Sequence, residues 1–589
     1  MRLVLLREIP PDASLRQQWD ALVMRASRPQ VFYTYEWALA VQRAYGDTVR
    51  PWLFLAYDEQ DAICGIAALA RGIAGGQVSF LSATTADYCD FLSQPEDKPA
   101  FVAAVLAELR KQGIGDIALA NLPADSDTCS ALREAGERQG YHLFTRTAYT
   151  CALIFLGQLE RGKDGKRVAP GQKRIRRFAK AMVSEGPICF DHSRSWEDVA
   201  PILPEFIQAH VARFLEIGRI SNLANPRRKI FLGELAKLLS ERQWLVLSRM
   251  AAGKRVVAWH YGFQFHDTWF WYQPTFDSSV EKHWPGFCLL TGAIQEATEN
   301  PSLTTLDLGL GSEAYKSKFA NGARETLHVS LHRSGMSHWQ EVGRYRIAEA
   351  ARSLPALEKS LRSLRESIRG FRRRLRSDGV RPVLALGARR LVRVAWVRDE
   401  VVFCQWEGLG LQSTPDRGLQ IQALSLSHLA LAAMEYEDDP ATLGYLLRTT
   451  RRLRTSGMEG YVLLRDDGRP VHFAWTAPFD GFHCAELSSA LEGTPDTVLL
   501  FDCWTPTVVR GQGNCRTAIA LIAERIKAGG KQPWILSPAS NAAAVPGLAK
   551  AGFQPRYSLV REGMLGWGRI TSKTGRRNAM RHPEASAPV

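Results

Sequence analysis

The fold of the C-terminal region is decided by one segment, Val508-Val509-Arg510-Gly511-Gln512-Gly513-Asn514-Cys515. It follows the apolar run 498–501 and precedes the apolar run 517–522, so the pattern predicts a strand, a glycine-rich turn and a helix. Glycine lacks Cβ and readily adopts positive φ, so such a turn presents several backbone N–H groups at a helix N-terminus. The helix dipole favours negative charge there, which suits a diphosphate. The Arg-x-x-Gly spacing differs from both the nucleoside triphosphate loop and the dinucleotide fingerprint.

Length and composition describe a globular protein of several domains. The chain has 589 residues, of which 46% are hydrophobic and 23% charged, and this length favours two to four domains. No apolar run reaches the roughly 18–20 residues that span a bilayer, and the N-terminal run 3–6 is too short for a secretory signal. The ten cysteines form no Cys-x-x-Cys pair, so we expect reduced thiols and neither a metal site nor a disulfide framework. We therefore predict a cytoplasmic protein.

Much of the net charge of +15 lies in one segment. Residues 341–393 contain fifteen Lys and Arg against five Asp and Glu. Apolar residues recur there at spacings of three and four from 354 to 375, which predicts a helix with one apolar side surrounded by arginines. This basic helix, 352–376, either contacts an anionic partner such as lipid headgroups, RNA or an acidic glycan, or packs as a connecting helix with solvated arginines.

The pattern around the glycine turn occurs again in the central region. In the C-terminal copy, a hairpin signal at 466–468 joins two strand-like runs before the turn. In the central copy, strand-like runs between 244 and 277 lead to a second turn at 283–286, and an apolar helix follows. Placing Gly286 on Gly513 puts a strand before the turn and a helix after it in both copies, which indicates an internal repeat.

Beyond the glycine turn, two further features follow, Asn541 and the ending Gly552-Phe553. Together with the turn they resemble the coenzyme A-binding core of the GNAT acyltransferase superfamily. The resemblance implies a mixed sheet over about 400–570 and acetyl-CoA, or another acyl-CoA, as co-substrate. It also implies the donor contacts: the backbone of Val508 and Val509 on pantetheine, the amides of Arg510, Gly511, Gln512, Gly513 and Asn514 on the diphosphate, and Asn541 on the pantetheine arm.

The same resemblance implies direct attack of a substrate amine on an acyl thioester, assisted by positioning, backbone polarisation and a base. Glu486 and Asp502, on strands predicted to run toward the cleft, are the candidate bases. The alternative for each is a solvated or capping carboxylate. Many GNAT enzymes have a tyrosine four residues before the Gly-Phe pair, but Leu548 stands there in this chain. Either Tyr557 or water protonates the thiolate, or the domain only binds its ligand.

The central region carries a second signature at 306–319, Leu-Asp-Leu-Gly-Leu-Gly-Ser-Glu-Ala-Tyr-Lys-Ser-Lys-Phe. With the basic segment 173–186 and the turn at 283–286, this signature resembles the CelD-type acetyltransferase family, which is named for cellulose biosynthesis and allied to the FemAB peptidyltransferases. The resemblance extends to 86–91 in the N-terminal region. It implies that residues 1–340 form a paired GNAT-like unit.

For the central region the resemblance makes His260, Asp307 and Lys316 candidate catalytic residues. The alternatives are that His260 is a hydrogen-bonded core residue and that Lys316 caps the neighbouring glycine turn. The turn at 283–286 has one glycine and a proline, which lacks an N–H donor, so we expect a weaker grip on a diphosphate. The cations along one side of the helix 173–180 either bind an acidic acceptor or form a solvated face.

These features predict an α/β (α+β) protein of tandem GNAT-like domains, each a mixed twisted sheet flanked by helices. The predicted domains are a degenerate GNAT-like half at 1–150, a CelD-type domain at 151–340, a basic helical linker at 341–395, a C-terminal GNAT domain at 396–570 and a disordered tail at 571–589.

The predicted function is acyl-CoA-dependent N-acyl transfer to a small-molecule or sugar-linked amine. The CelD resemblance implies a precursor of a cell-surface polysaccharide or of the envelope. Two alternatives stay open: a FemAB-like transferase that uses aminoacyl-tRNA, and a non-catalytic GNAT-like scaffold or regulatory protein of a polysaccharide-synthesis complex. Apart from the tRNA alternative we expect no nucleic-acid partner. The 352–376 helix is the candidate contact with the anionic inner face of a membrane.

Overall fold

The computed structural model describes residues 1–163, 165–311, 313–352, 396–408, 418–541, 544–564 and 567–574. They form two compact units: unit 1 comprises 1–213 and 221–352, and unit 2 comprises 214–220 and the described residues from 396 onward. The basic helix predicted at 352–376 lies outside the described residues, apart from Arg352 at the end of a preceding helix. No helix in the described ranges is both long enough and apolar enough to span a membrane.

Residues 1–352 contain thirteen strands and ten helices in the described ranges. The strands are β1 Arg2–Leu6, β2 Val49–Tyr57, β3 Ile63–Gly72, β4 Val78–Phe80, β5 Leu92–Ser93, β6 Asp116–Pro123, β7 His142–Phe155, β8 Ile188–Ser193, β9 Leu245–Ala252, β10 Arg255–Phe265, β11 Thr268–Phe276, β12 Thr305–Asp307 and β13 Gly322–His332. The helices are α1 Ala13–Met24, α2 Tyr35–Tyr45, α3 Lys98–Lys111, α4 Thr128–Arg138, α5 Gln172–Ala181, α6 Trp196–Val199, α7 Leu203–Glu216, α8 Pro226–Glu241, α9 Pro285–Glu299 and α10 Gly335–Arg352.

The strands of unit 1 form one mixed sheet in the order β1-β2-β3-β4-β6-β13-β7-β12-β11-β10-β9-β8, with β5 paired to β3. The two halves of this unit exchange strands. β13, from the end of the unit, lies between β6 and β7, and β7, from the first half, pairs with β12 of the second. The predicted domain boundary at 150 therefore falls inside β7, and the two predicted N-terminal domains share a continuous sheet.

In the second half of unit 1, the sheet has a gap where the pairing of the parallel strands β11 and β12 ends. β11 and β12 are parallel and α9 connects them, as a parallel crossover requires. Their pairing ends at Phe270 and Asp307, whereas β11 continues to Phe276. Buried residues of α9 and of the sheet, including Trp269, Trp271 and Leu289, form the core beneath this gap.

Unit 2 contains ten strands and four helices in the described ranges. The strands are β14 Trp396–Trp406, β15 Leu419–Ala423, β16 Glu459–Arg465, β17 Pro470–Pro478, β18 His483–Cys484, β19 Ser489–Ala490, β20 Thr497–Trp504, β21 Gln532–Pro538, β22 Phe553–Met564 and β23 Trp567–Thr574, and the helices are α11 Leu426–Glu435, α12 Pro440–Thr449, α13 Asn514–Ala528 and α14 Ala544–Lys550. Eight strands form a sheet in the order β15-β16-β17-β20-β21-β14-β22-β23, and β18 pairs with β19. The mixed sheets flanked by helices confirm the predicted fold class.

The internal repeat predicted from the sequence is visible in the strand orders. β9-β10-β11-β12-β7-β13 in unit 1 and β16-β17-β20-β21-β14-β22 in unit 2 have the same directions, and in both a helix connects the parallel pair. The predicted alignment of Gly286 with Gly513 is wrong, however. Each crossover helix begins directly after a residue in the left-handed conformation, Trp284 with φ 62° and Gly513 with φ 80°. Trp284 is therefore the structural equivalent of Gly513.

Two predicted elements have different bounds in the structure. The strand predicted at 483–487 is only β18, because the chain turns at 485–488 to pair with β19, so Glu486 lies in a turn and not on a strand. The predicted tail begins too early, since β23 continues to Thr574 beside β22, and residues 575–589 lie outside the described ranges.

Candidate functional site

The glycine turn of unit 2 is an open cradle at the start of α13. Gly511 has φ 77° and Gly513 has φ 80°, a conformation that L side chains rarely adopt. A Cβ atom added to either glycine would meet no atom within 4 Å. The two glycines therefore leave free space directly in front of the helix N-terminus.

Side chains around the turn hold its backbone in place. The buried Asn514 side chain donates from Nδ2 to the Val509 carbonyl at 3.1 Å, and Arg510 donates from Nε to the Thr505 carbonyl at 3.0 Å. Arg465 donates to the Gln512 side-chain oxygen at 2.5 Å. These hydrogen bonds restrain the turn, which lowers the entropic cost of binding a ligand there.

The turn also offers unused hydrogen-bond donors. Within the described part of the chain, the backbone N–H groups of Gly511, Gln512 and Gly513 donate to no other group. They lie at the positive end of the dipole of α13, a helix of 15 residues. Free amides, a helix N-terminus and space in place of a Cβ form an arrangement that fits a diphosphate.

A gap in the sheet begins beside the turn. The parallel pairing of β20 with β21 ends at Leu500 and Ile535, whereas β20 continues to Trp504 and β21 to Pro538. Past Leu500, β20 bulges against β17, and Asp502 has φ 47°. The strand edge in this gap suits an extended ligand arm that adds to the sheet as a short strand would.

A cleft of about 630 Å³ opens on this part of β20. Its lining includes Glu486 and Asp502, so the structure brings together the two carboxylates that the sequence singled out in this domain. Its polar lining residues also include Arg452, Asp480 and His483, and its apolar ones include Met458, Phe482, Phe501 and Leu536. The volume lies within the range of small-molecule sites in proteins.

Asp502 is held by two contacts in this cleft. Its carboxylate forms an ion pair with Arg452, and each of the two side chains is 34% exposed. The Tyr445 hydroxyl donates to the Asp502 carbonyl at 3.2 Å, and its ring stacks on Trp504 with 5.1 Å between centroids. The sequence reasoning missed Arg452, because one arginine in the run 451–454 has no local mark that separates it from its neighbours.

The remaining predicted positions of the C-terminal domain have simpler surroundings. Asn541 is exposed just after β21, and its backbone N–H donates to the Pro538 carbonyl at 2.9 Å. Leu548 packs in the core beneath α13. The Tyr557 ring stacks on Phe403 at 4.8 Å, and burial raises the pKa of its hydroxyl to about 12. Tyr557 is thus packed as a core aromatic residue of the sheet.

In unit 1, His260 is a core residue of the central sheet. Its side chain is wholly buried and its ring stacks on Trp271 with 3.7 Å between centroids. Burial lowers the pKa of His260 well below its usual range, so the ring is neutral. The Phe270 carbonyl interacts with the ring and opposes this shift, although among the described residues neither ring nitrogen makes a hydrogen bond of ordinary distance and angle.

Asp307 and Lys316 both form hydrogen bonds with the backbone turn at 309–310, which lies between them in the sequence. The buried Lys316 ammonium donates to the carbonyls of Leu310 at 2.7 Å and Gly309 at 3.3 Å, and it forms an ion pair of 2.9 Å with Glu313. Asp307 accepts from the Gly309 N–H at 2.8 Å and from the Tyr88 hydroxyl at 2.8 Å. All three donors of the ammonium are in use, which is the geometry of the capping alternative.

A further carboxylate, Asp87, lies at the same place and was missed as a site residue. A Cβ atom at Gly309 would lie 2.5 Å from Asp87 Oδ2, so the carboxylate lies against the turn. Burial, with a smaller effect of the nearby Asp307 carboxylate, raises the pKa of Asp87 to about 7. In the sequence, Asp87 lies in the segment 86–91. That segment contributed to the family resemblance, but no functional role was predicted for any residue in it.

The turn before α9 is closed, because the Trp284 side chain stands where Gly513 leaves open space in unit 2. The Arg174 guanidinium covers the rings of Trp284 and Phe287 at 5.0 and 4.1 Å, and inside the first turn of α9 a Cβ at Gly286 would lie 3.0 Å from the Phe276 ring. Trp284 is itself 53% exposed.

The predicted basic face of α5 is exposed at all four of its positions, Lys173, Arg176, Arg177 and Lys180.

Residues 170–317 match the family model described as "Acetyltransferase (GNAT) domain". This segment is a GNAT acetyltransferase domain. The GNAT domain includes α5, α9 and three of the predicted catalytic residues, His260, Asp307 and Lys316. It ends before the part of unit 2 that begins at 396, so the match does not extend to the glycine turn at 508–514.

Solved structures similar to this chain include L-PGS, FemX and a tandem GNAT protein. L-PGS from Bacillus licheniformis is 12% identical over 57% of this chain and 97% of that one, with a TM-score of 0.37. FemX is 10% identical over 56% and 97%, with a TM-score of 0.38. A tandem GNAT protein from the clavulanic acid biosynthesis pathway is 10% identical over 56% and 97%, with a TM-score of 0.35. No curated protein matches the chain.

Proposed function

We propose that the protein is an acyl-CoA-dependent N-acyltransferase and that the acyl-CoA donor binds at the glycine turn of unit 2. The GNAT domain at 170–317 supports the reaction class. The open space in front of Gly511 and Gly513 carries the choice of site, because before α9 the Trp284 side chain takes the position of Gly513 and the Arg174 guanidinium lies over its ring. Of the two equivalent positions, unit 2 offers the donor the freer approach.

The diphosphate of the donor would bind the free amides of Gly511, Gln512 and Gly513, with the dipole of α13 adding attraction. The pantetheine arm would then enter the gap between β20 and β21, where β20 has no partner on β21 beyond Leu500. This path leads the thioester toward the cleft that Asp502 and Glu486 line.

The acceptor enters this cleft as an ammonium ion and must lose one proton to become a nucleophile. A carboxylate, Asp502 or Glu486, takes that proton, and the amine lone pair attacks the thioester carbonyl carbon. The C–N bond forms as the C–S bond breaks, the thiolate of CoA leaves with the electron pair, and a second proton passes from the nitrogen through water to the thiolate. The products are an amide, CoA and the proton held by the carboxylate. An amino-sugar acceptor, as the CelD resemblance implies, belongs to this proposal.

Isothermal titration calorimetry of the full chain with acetyl-CoA tests the proposal. We expect one binding site per chain. Release of free CoA should then depend on an added amine, followed with a thiol reagent. A well-folded protein that binds no acetyl-CoA would overturn the assignment, and binding without turnover of any amine would favour the non-catalytic alternative.

A further inference from the structure

The cleft of unit 2 has an uneven distribution of charge. Asp480, Glu486 and Asp502 contribute three carboxylates, whereas Arg452 is the one lysine or arginine among the described residues of its lining. An ammonium ion is attracted by the carboxylates. The Arg452 guanidinium is a cation and requires an anionic partner, which in the structure is the Asp502 carboxylate.

The Arg452 guanidinium is positioned by its surroundings and remains accessible. It lies 5.8 Å from the ring of Trp475 and 5.6 Å from the ring of Phe501, so its position does not depend on Asp502 alone. It is 34% exposed and its face toward the cleft is open to a solute. A planar guanidinium binds a carboxylate or a phosphate through two parallel N–H donors.

The ion pair with Asp502 is easily exchanged. Both of its side chains are about one-third exposed, and pairs with such exposure contribute little net stability, since water and salt screen them. An incoming acidic group can therefore replace Asp502 at Arg452 at low cost. The backbone of Asp502 stays in place, because the Tyr445 hydroxyl and the bulge of β20 fix it.

We propose that the acceptor of unit 2 is an amine that also carries an acidic group, a carboxylate or a phosphate, and that this group binds Arg452. The proposal rests on the proposed function and names the acceptor class for the same site. Binding of the acid separates Asp502 from Arg452. The released carboxylate then accepts the proton of the acceptor ammonium, and the acyl group passes from sulfur to nitrogen as described above.

This arrangement makes the base available only when a suitable acceptor is present. With the donor alone, the Asp502 carboxylate is engaged by the Arg452 guanidinium. An amine without an acidic group leaves this pair intact and finds the carboxylate occupied. Arg452 is accordingly a specificity-determining residue that acts through Asp502, and the preference for acidic acceptors should appear in kcat as well as in KM.

The test compares matched amines in a CoA-release assay with saturating acetyl-CoA. Glucosamine 6-phosphate is compared with glucosamine, and leucine with 3-methylbutylamine, so that each pair differs by one acidic group. We expect kcat/KM to be at least tenfold higher for the acidic member of at least one pair. The pair that responds identifies phosphate or carboxylate as the group recognised.

The variants R452M and R448M separate recognition from general charge. R452M should reduce the preference within a pair to less than threefold, while acetyl-CoA affinity and the melting temperature remain close to those of the wild type. R448M removes an exposed arginine of α12, one turn earlier, and should retain the preference. R452K keeps the charge without the two-donor fork and should give an intermediate preference.

Equal kcat/KM within both pairs, or an unchanged preference in R452M, would overturn the proposal. So would the absence of turnover with both acidic amines in protein that binds acetyl-CoA. These outcomes leave the donor site intact. Loss of acetyl-CoA binding by the wild type, in contrast, contradicts the proposed function itself, so the two failures are distinguished.

Discussion

Replacement of Gly513 by alanine should weaken CoA binding and destabilise the protein only modestly. The residue has φ 80°, and the left-handed conformation costs an L residue about 1–2 kcal/mol. For a unit of this size that corresponds to a decrease of about 2–8 °C in melting temperature. The added Cβ meets no protein atom within 4 Å, so the fold has room for it, but it occupies the space through which a diphosphate reaches the amides. We expect at least a tenfold loss of CoA affinity, about 1.4 kcal/mol.

Gly530 provides a matched control at the opposite end of the same helix. It has φ 78°, and a Cβ there also meets nothing within 4 Å. G530A should therefore show a similar decrease in melting temperature with unchanged CoA affinity. Calorimetry with CoA and thermal denaturation of both variants provide the comparison. Unchanged affinity in folded G513A, or an equal loss in G530A, would refute the reasoning that places the diphosphate at Gly513.

Three further predictions concern titratable residues. D502N should lower kcat by a factor of about 10²–10⁴ without changing acetyl-CoA affinity, because it removes the proposed base; an unchanged kcat would transfer that role to Glu486. K316M should cost about 1–3 kcal/mol of unfolding free energy in urea denaturation, since two buried carbonyls lose their donor; lost turnover at unchanged stability would instead indicate ligand binding. The pKa of Asp87 is raised to about 7 from its usual 3.8, so the stability its protonated form confers is complete below about pH 4 and lost as pH rises through 7. D87N should consequently gain stability relative to the wild type between pH 5 and pH 8, and a constant difference would contradict the shift.

Features encoded within a few residues were predictable from the sequence. The helix that begins at Asn514 and the hairpin between β16 and β17 are both marked by glycines with positive φ, Gly513 and Gly468. The strands that lead to the turn in each repeat, and the crossover helix after it, also follow local hydrophobic patterns. The exposed face of α5 was predictable for the same reason, since helical spacing alone places its cations on one side.

Features that depend on distant partners were not predictable. Strands β7 and β13 pair although more than a hundred residues separate them in the chain. No local pattern marks this pairing, and the predicted boundary at 150 therefore falls inside β7. The approach of Asp87 to Gly309 and the pairing of Arg452 with Asp502 likewise arise from tertiary packing. The equivalence of Trp284 with Gly513 was missed because a tryptophan in the left-handed conformation has no sequence signal.

The two repeats differ in the property that matters for donor binding. The helix that follows Gly513 has an open N-terminus, whereas at the N-terminus of α9 the Trp284 side chain replaces the glycine and the Arg174 guanidinium covers the rings of Trp284 and Phe287. The GNAT domain at 170–317 therefore keeps the fold of the repeat with a closed turn. Unit 2 has the open turn and the adjoining cleft, so donor binding is proposed for unit 2 and not for the repeat of unit 1.

Hydrogen–deuterium exchange of the full chain with and without CoA tests this claim most directly, because it reports both turns in one experiment. CoA should slow exchange in peptides that cover 508–516, where the free amides acquire phosphate acceptors, and leave peptides that cover 283–290 unchanged. Protection of the 283–290 peptides without protection of 508–516 would contradict the account and place the donor in the GNAT domain of unit 1.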